Sequence, residues 1–466
     1  MAKIISRHGF GLGHAYETAQ PSSPQEYLDI ALRTEKFVTK YAHKMEDGIY
    51  WKKSGPGWRG DPADIDLSLY SGSAGVLYFY LKLQEATGDS IYLETIREGT
   101  RYIAAHWRDF FDQTPVFGDM DLRGSEYGMY FGVGSLALVL GEVYRNTGDE
   151  TAKKGALEIY EFYKEKMQED ADGYYWTGST GAAMDGGVLM VLLQQYELFG
   201  DPETLEIIKS AGRHYAKQGV RIENGGLEYN GVKGITDPIS WPNFEFGTSG
   251  AGYLMTLLYE LTGDEEYLKN AEDCTLYMKT IIIPQKKGYL TPHDVGAPVD
   301  APKVCFLGSC HGPGGNAKLF YRLHKLTGKQ EYLDEINAGL DGMESVGAPE
   351  RQSPGLWNTL CYCCGHAGLV HYFLGLYHAY GEARYLDLAR RAAYVILGER
   401  EDHEDGTTTW PMAFWRIQPD FLTEDLGYYD GQAGMAISML EMYLTETGTF
   451  HWKRLPDDPF PEEAGK

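Results

Sequence analysis

Seven times along the 466-residue chain a glycine-bracketed motif opens an apolar segment that closes on another glycine. The first copy reads YSGSAGVLYFYLKLQEATGD from Tyr70, the fourth EFGTSGAGYLMTLLYELTGD from Glu245, and the sixth CCGHAGLVHYFLGLYHAYGE from Cys363. Numbered from the first bracket, the copies start at Gly72, Gly132, Met184, Gly247, Gly312, Gly365 and Gly431. They close at Gly88, Gly148, Gly200, Gly263, Gly328, Gly381 and Gly448, a separation of 16 residues in six copies and 17 in the last. That spacing accommodates about four helical turns. The segments are apolar nearly all round, which predicts fully buried helices. The closing glycine suits the left-handed position past a helix C-terminus.

Behind each closing glycine runs a second segment of different character, such as DSIYLETIREGTRYIAAHWR or EARYLDLARRAAYVILGER. Apolar residues recur every three and four positions with charges between them, the pattern of an amphipathic outer helix. SPQEYLDIALRTEKFVTKYAHKM supplies the same element ahead of the first motif. The chain thus reads as seven pairs, an outer helix followed by an inner one. Buried inner helices flanked by half-exposed ones predict an all-α, closed double ring, an α/α toroid. An open stack of repeats needs polar terminal caps, and the sequence suggests none. Residues 1–466 are expected to form one domain, with inner helices near 72–88, 132–148, 184–200, 247–263, 312–328, 365–381 and 431–448. The loops before the inner helices, such as WKKSGPGWRGDPADIDLSLY and KGITDPISWPNFEF, are rich in Gly, Pro and aromatics. They gather at one mouth of the ring, where a site is expected.

The net charge of −25 argues against nucleic acid, whose phosphates need a basic surface. No apolar run approaches the ~18 residues of a membrane span, and MAKIISRHGFGLGHAYETAQ has no continuous apolar core. A cytoplasmic protein without membrane insertion is expected. Five of the six cysteines crowd between Cys305 and Cys364. In a cytosolic chain such clusters bind metal or do chemistry more often than they form disulfides.

The repeat register sorts these cysteines. Two positions before the first bracket stand Tyr70, Tyr130, Ala182, Glu245, Cys310, Cys363 and Tyr429. One position before it stand Ser71, Phe131, Ala183, Phe246, His311, Cys364 and Asp430. Cys310, Cys363 and Cys364 therefore meet at the mouth ends of the adjacent fifth and sixth inner helices. Three converging thiolates suit Zn²⁺, and three protein ligands leave the open position of a catalytic site. Two other readings stand beside this one: buried apolar cysteines, a common fate of free Cys, and a vicinal Cys363–Cys364 disulfide. Cys361 is a bystander, and His324, His371 and His378 lie deeper along the helices as structural polar residues.

The seven Gly-bracketed helices, the CHG of Cys310–His311–Gly312 and the CCG of Cys363–Cys364–Gly365 resemble the LanC-like proteins, lanthionine cyclases and their relatives. The resemblance implies the toroid and a zinc site at Cys310, Cys363 and Cys364, with Cys364 in the family's histidine place. It also implies an activity in which zinc activates a thiol for addition to a dehydroamino acid, forming a thioether. The implied partners are a Cys-containing peptide or small-molecule thiol and a separate dehydratase. Two positions depart from the family pattern. Phe246 occupies the place of the family's acid/base histidine, and Thr180 that of an aspartate. Glu245 is the first candidate for the missing proton donor, followed by His311, His366, Asp185 and Asp430. Two further readings keep the toroid. One is a carbohydrate-active enzyme using carboxylates among Asp66, Asp185, Glu245 and Asp430, since glycoside chemistry needs such pairs. The other is a non-catalytic, zinc-dependent binder of glutathione or a thiol peptide.

Overall fold

The computed structural model describes residues 15–53, 65–112, 116–117, 120–121, 124–234, 237–297, 304–352, 356–357, 359–413 and 422–463. Residues 54–64 and 235–236 of the two mouth loops singled out above lie outside this set. Among the described residues fourteen helices alternate between two rings. The outer ring comprises α1 (Pro24–Thr39), α3 (Tyr92–Phe111), α5 (Glu150–Lys166), α7 (Pro202–Lys217), α9 (Glu265–Met278), α11 (Gln330–Ser345) and α13 (Ala383–Glu399). The inner ring comprises α2 (Ser73–Thr87), α4 (Val133–Thr147), α6 (Asp185–Phe199), α8 (Thr248–Thr262), α10 (Pro313–Thr327), α12 (His366–Tyr380) and α14 (Gln432–Glu446). Each inner helix packs on the next, and α14 packs back on α2, which closes the ring. The fold is an α/α toroid.

Both bracket glycines and closing glycines have a local cause. The seven closing glycines all adopt φ between 64° and 70°, a region that costs a side-chain-bearing residue free energy. At the other end, the incoming loop crosses the first helical turn at close range. A Cβ on Gly72 would overlap the carbonyl of Asp66, and one on Gly434 the carbonyl of Tyr428.

The helix partnership differs from the expected one. The more extensive packing joins each inner helix to the outer helix that follows it, and α1 packs on α14. The reason is the connection. The left-handed glycine joins inner to outer in a tight antiparallel turn, whereas the return to the next inner helix is long. On several returns the chain makes a short antiparallel hairpin, as at Ala42–Met45 with Gly48–Trp51. One pairing is parallel and joins different repeats, Cys305–Phe306 with Leu356–Trp357.

At the mouth the residues two positions before the brackets form a belt of backbone hydrogen bonds. Tyr70 N–H donates to the Tyr130 carbonyl at 3.2 Å, Tyr429 to Tyr70 at 2.9 Å, Cys363 to Tyr429 at 2.8 Å, Cys310 to Cys363 at 3.2 Å and Glu245 to Cys310 at 3.1 Å. Ala183, one residue on, donates to Glu245 at 3.0 Å. These six links touch all seven repeats: six repeats donate to the one after them, the seventh donating to the first, and the series runs from Ala183 of the third repeat round to Tyr130 of the second.

The C-terminal tail fills the bore. Lys453 pairs with Glu197 at the far end of α6, at 3.0 Å. Further on, Asp457 accepts from the Tyr130 and Tyr429 hydroxyls at 3.0 and 3.2 Å and pairs with Lys318 at 3.4 Å. His371 of α12 lies between Glu441 of α14, at 2.7 Å, and Asp458 of the tail, at 2.9 Å. Arg454 bridges the same two carboxylates, each at 3.2 Å. Burial works against a charge on His371, but the two carboxylates outweigh it and raise its pKa to about 9.

Two outcomes follow for stability. Gly434→Ala forces the approach loop away from α14 and should cost about 2–4 kcal/mol in chemical denaturation, while exposed Ile91→Ala should stay within about 0.5 kcal/mol. Because the folded pKa of His371 is raised, its stabilisation is complete below the unfolded value of about 6.5. It is lost as pH rises through about 9. The melting temperature should fall across that window, and His371→Gln should flatten the fall.

Candidate metal centre

The belt determines which side chains meet. Glu245, Cys310 and Cys363 are consecutive members of it. The parallel pairing of Cys305–Phe306 with Leu356–Trp357 brings the approaches to α10 and α12 side by side. Ser309 N–H then donates to the Cys363 carbonyl at 2.8 Å. Gly312, which opens α10, has φ 109°, where the bracket glycines of the other inner helices keep negative values. That left-handed turn needs glycine and sets the direction of the Cys310–His311 dipeptide.

The three sulfurs converge. Cys310 Sγ lies 3.3 Å from Cys364 Sγ, which lies 3.5 Å from Cys363 Sγ. All three thiols are free, so the vicinal disulfide is not formed. They are 6%, 2% and 1% exposed for Cys310, Cys363 and Cys364. Ligands about 2.3 Å from a tetrahedral zinc stand about 3.7 Å from one another, so these sulfurs already hold nearly the spacing of a zinc set. Burial, with the neighbouring thiols and the Glu245 charge, pushes Cys310 and Cys363 well above the usual thiol range. A bound dication reverses that preference by stabilising thiolates. The donor set therefore fits Zn²⁺.

Glu245 and His311 adjoin this trio. Their ligand atoms and Cys310 Sγ all lie within 4.8 Å of one another, and both residues are buried. Beyond them stands an aromatic wall. Phe246 packs on Trp241 at 5.1 Å and on His311 at 6.1 Å. Across the belt, Tyr70 stacks on Tyr429 at 5.5 Å and Tyr130 meets Tyr429 edge-on at 5.0 Å.

The other expected site residues are not brought to the sulfurs in the same way. The Asp185 carboxylate accepts from the Trp176, Thr177 and Gly178 amides and the Thr177 hydroxyl, at 2.7–3.1 Å. Those contacts hold the approach to α6 in place. His366 begins α12 and turns outward, with Nδ1 2.7 Å from the Thr359 carbonyl and Nε2 2.7 Å from that of Pro349. Both ring nitrogens are thereby engaged with backbone. Asp430 sits on the tyrosine side of the belt, where its charge adds to the burial that raises the Tyr70 pKa. Asp66 accepts from Ser68 N and Ser71 Oγ within its own loop, at 2.8 and 2.5 Å. Cys361 contacts Thr359 Oγ1 at 2.9 Å, outside the trio.

Residues 63–455 match the family described as Lanthionine synthetase C-like protein. The chain belongs to that family. Among solved structures, nisin cyclase is similar in fold, with TM-score 0.59 and 13% identity over 91% of this chain and 97% of that one. A sugar epimerase from a ruminal bacterium gives TM-score 0.48 and 12% identity over 91% of this chain and 98% of that one. Cellobiose 2-epimerase from Spirochaeta thermophila gives 0.45 and 14% over 92% and 99%. No curated protein matches the chain in sequence.

Within this lanthionine synthetase C-like toroid, sequence reasoning missed one residue beside His311, His293. Its ring lies 4.4 Å from that of His311. It belongs to no repeat position, so the register gives no signal for it; a lone TPHDVG in a long loop reads as surface. No helix among the described residues is long and apolar enough to cross a membrane.

The metal assignment has a direct measure. Protein purified without chelators should carry one zinc per chain by elemental analysis. Cys310→Ala and Cys363→Ala should each reduce that content at least tenfold, while Cys361→Ala should leave it unchanged.

Proposed function

We propose that this chain is a zinc-dependent C–S bond-forming enzyme that adds a thiol to a dehydroamino acid or a similar activated alkene. The observation that carries this reading is the convergence of three free, buried cysteine sulfurs beside Glu245, in a member of the lanthionine synthetase C-like family. Cys310, Cys363 and Cys364 would hold the metal and leave one position for a ligand. Bound there, zinc supplies the positive charge that keeps a substrate thiol ionised at neutral pH. Three thiolates donate charge to such a centre, which favours a nucleophilic sulfur over activation of water.

The protein's own groups supply the rest. The aromatic wall of Trp241 and Phe246, extended by Phe306 with its ring 5.7 Å from that of His311, keeps bulk water from the reacting sulfur and offers apolar surface to the alkene. Addition forms the C–S bond and moves the π electrons to the α-carbon, which must then take a proton. Glu245, beside Cys310, is the donor we assign. His311 lies close enough to both to orient them. The substrates would be a cysteine-containing peptide or a small thiol and a partner dehydrated by a separate enzyme. A second reading rests on Phe246, an inert side chain in the place the family gives to histidine: zinc-dependent thiol binding without turnover.

One assay separates the two. Zinc-loaded protein is incubated with a cysteine peptide and a dehydroalanine peptide, and thioether is followed by mass spectrometry. Product should appear with wild type and vanish with Cys363→Ala. Glu245→Gln should lower kcat about 10²–10³-fold at unchanged zinc content. Tight thiol binding with no thioether favours the binder. Full activity in metal-free protein overturns both.

A further inference from the structure

A thiol entering this site has to lose a proton. The groups around it are closed in: Cys310, Glu245 and His311 are 6%, 5% and 3% exposed. His293 adjoins His311, yet its side chain is 17% exposed and that of its neighbour Asp294 is 29% exposed. The pair spans the distance from the buried trio's surroundings to solvent.

His293 is held firmly for a loop residue. Its N–H donates to the Val304 carbonyl at 2.7 Å. Asn243 Nδ2 donates to the preceding carbonyl, Pro292, at 2.8 Å. Ser240 and Val295 pair through two backbone bonds of 2.9 Å. The same Asn243 accepts from Gly312 N–H at 3.3 Å and from Asn316 at 2.8 Å, which ties the His293 loop to the start of α10. The ring packs on Trp241 at 5.2 Å and on Phe306 at 4.7 Å. Trp241 and His311, which contact Phe246, thus contact His293 as well. An imidazole absent from the α8 position is present in the neighbouring loop, against the same two rings. Asp294 Oδ2 lies 3.3 Å from His293 Nδ1. A carboxylate there orients the ring, and an imidazole can take a proton on one nitrogen and give one up from the other.

Resting on the thiol addition proposed above, we propose that His293, oriented by Asp294, is the relay residue that carries the substrate thiol's proton out of the three-cysteine site to solvent. The S–H bond breaks with its electron pair left on sulfur, and the proton passes to the His293 imidazole and on to bulk water. The α-carbon of the adduct is protonated separately, from Glu245, which recovers its proton from water. No oxidant or reductant takes part.

The test reads proton release on thiol binding with no alkene present. Zinc-loaded wild type, His293→Ala and Asp294→Asn are mixed with N-acetylcysteine in weakly buffered pH-indicator solution in a stopped-flow instrument. Wild type should release about one proton per zinc. His293→Ala should release it at least tenfold more slowly at unchanged zinc content, and added imidazole should restore the rate. Asp294→Asn should slow it about threefold. Unchanged rates in both variants overturn the relay, as does a wild type that binds thiol without releasing a proton. A slow His293→Ala that imidazole does not rescue also overturns it, since that is the signature of a structural loss. Should His293→Ala lose zinc, Asp294→Asn decides alone: slowed release supports the relay and unchanged release overturns it. A failed thioether assay leaves these outcomes intact, so the two proposals fall separately.

Discussion

One backbone amide in each of six repeats holds the mouth of this toroid together. Buried amides and carbonyls must find partners, and here six of them find those partners in the adjacent repeat. The belt needs the chain to pass close over the first turn of each inner helix, hence the bracket glycines. It also imposes an alternation on neighbouring side chains. The belt residue and its successor, such as Cys363 and Cys364, reach the trio, while His366 at the helix start is directed to the Pro349 carbonyl. A one-residue change of register would exchange these fates.

Much of this was legible in the chain itself. The 16-residue spacing encodes six of the inner helices to within a residue of their ends, and the seventh ends two residues short of its glycine, because left-handed glycine is a local requirement that local sequence must satisfy. The cysteine trio was legible for the same reason, being tied to the register. Other features are properties of three-dimensional closure. The pairing of each inner helix with its successor depends on connection length rather than periodicity. The engagement of Asp185 with the Trp176–Gly178 amides depends on how a loop folds back. His293 depends on a chain of contacts through Asn243 between two loops whose sequences carry no repeat. His371 was legible as a structural polar residue, but the buried layer it forms with Lys318 and Glu441 was not, because each polar side chain is matched by the tail and not by its own repeat.

The belt also divides the mouth chemically. One side carries Glu245, Cys310 and Cys363, all acidic groups drawn into a low-dielectric interior. The other carries Tyr429, Tyr70 and Tyr130, whose hydroxyls are held neutral by burial, with pKa values well above the usual phenol range. A divalent cation bound beside these buried groups would favour their thiolate and carboxylate forms over the neutral ones. Lys318 is directed to Asp457 beneath the belt. The opposing tyrosines leave the cation's charge for the sulfurs and their substrate.

The closure of the ring between α14 and α1 has a consequence for biosynthesis. A ribosome makes α1 before the other described helices and α14 after them, so the apolar stripe of α1, with Tyr27, Ile30, Phe37 and Val38, stays without its partner while the twelve helices between them are made. Contacts of such sequence separation form slowly and leave sticky surface in the meantime. The tail that enters the bore is made later still, and it carries the carboxylates that neutralise Lys318 and His371. A nascent chain of this design is an open arc with an unfinished seam and unpaired interior charges until α14 and the segment carrying Asp457 and Asp458 have been made.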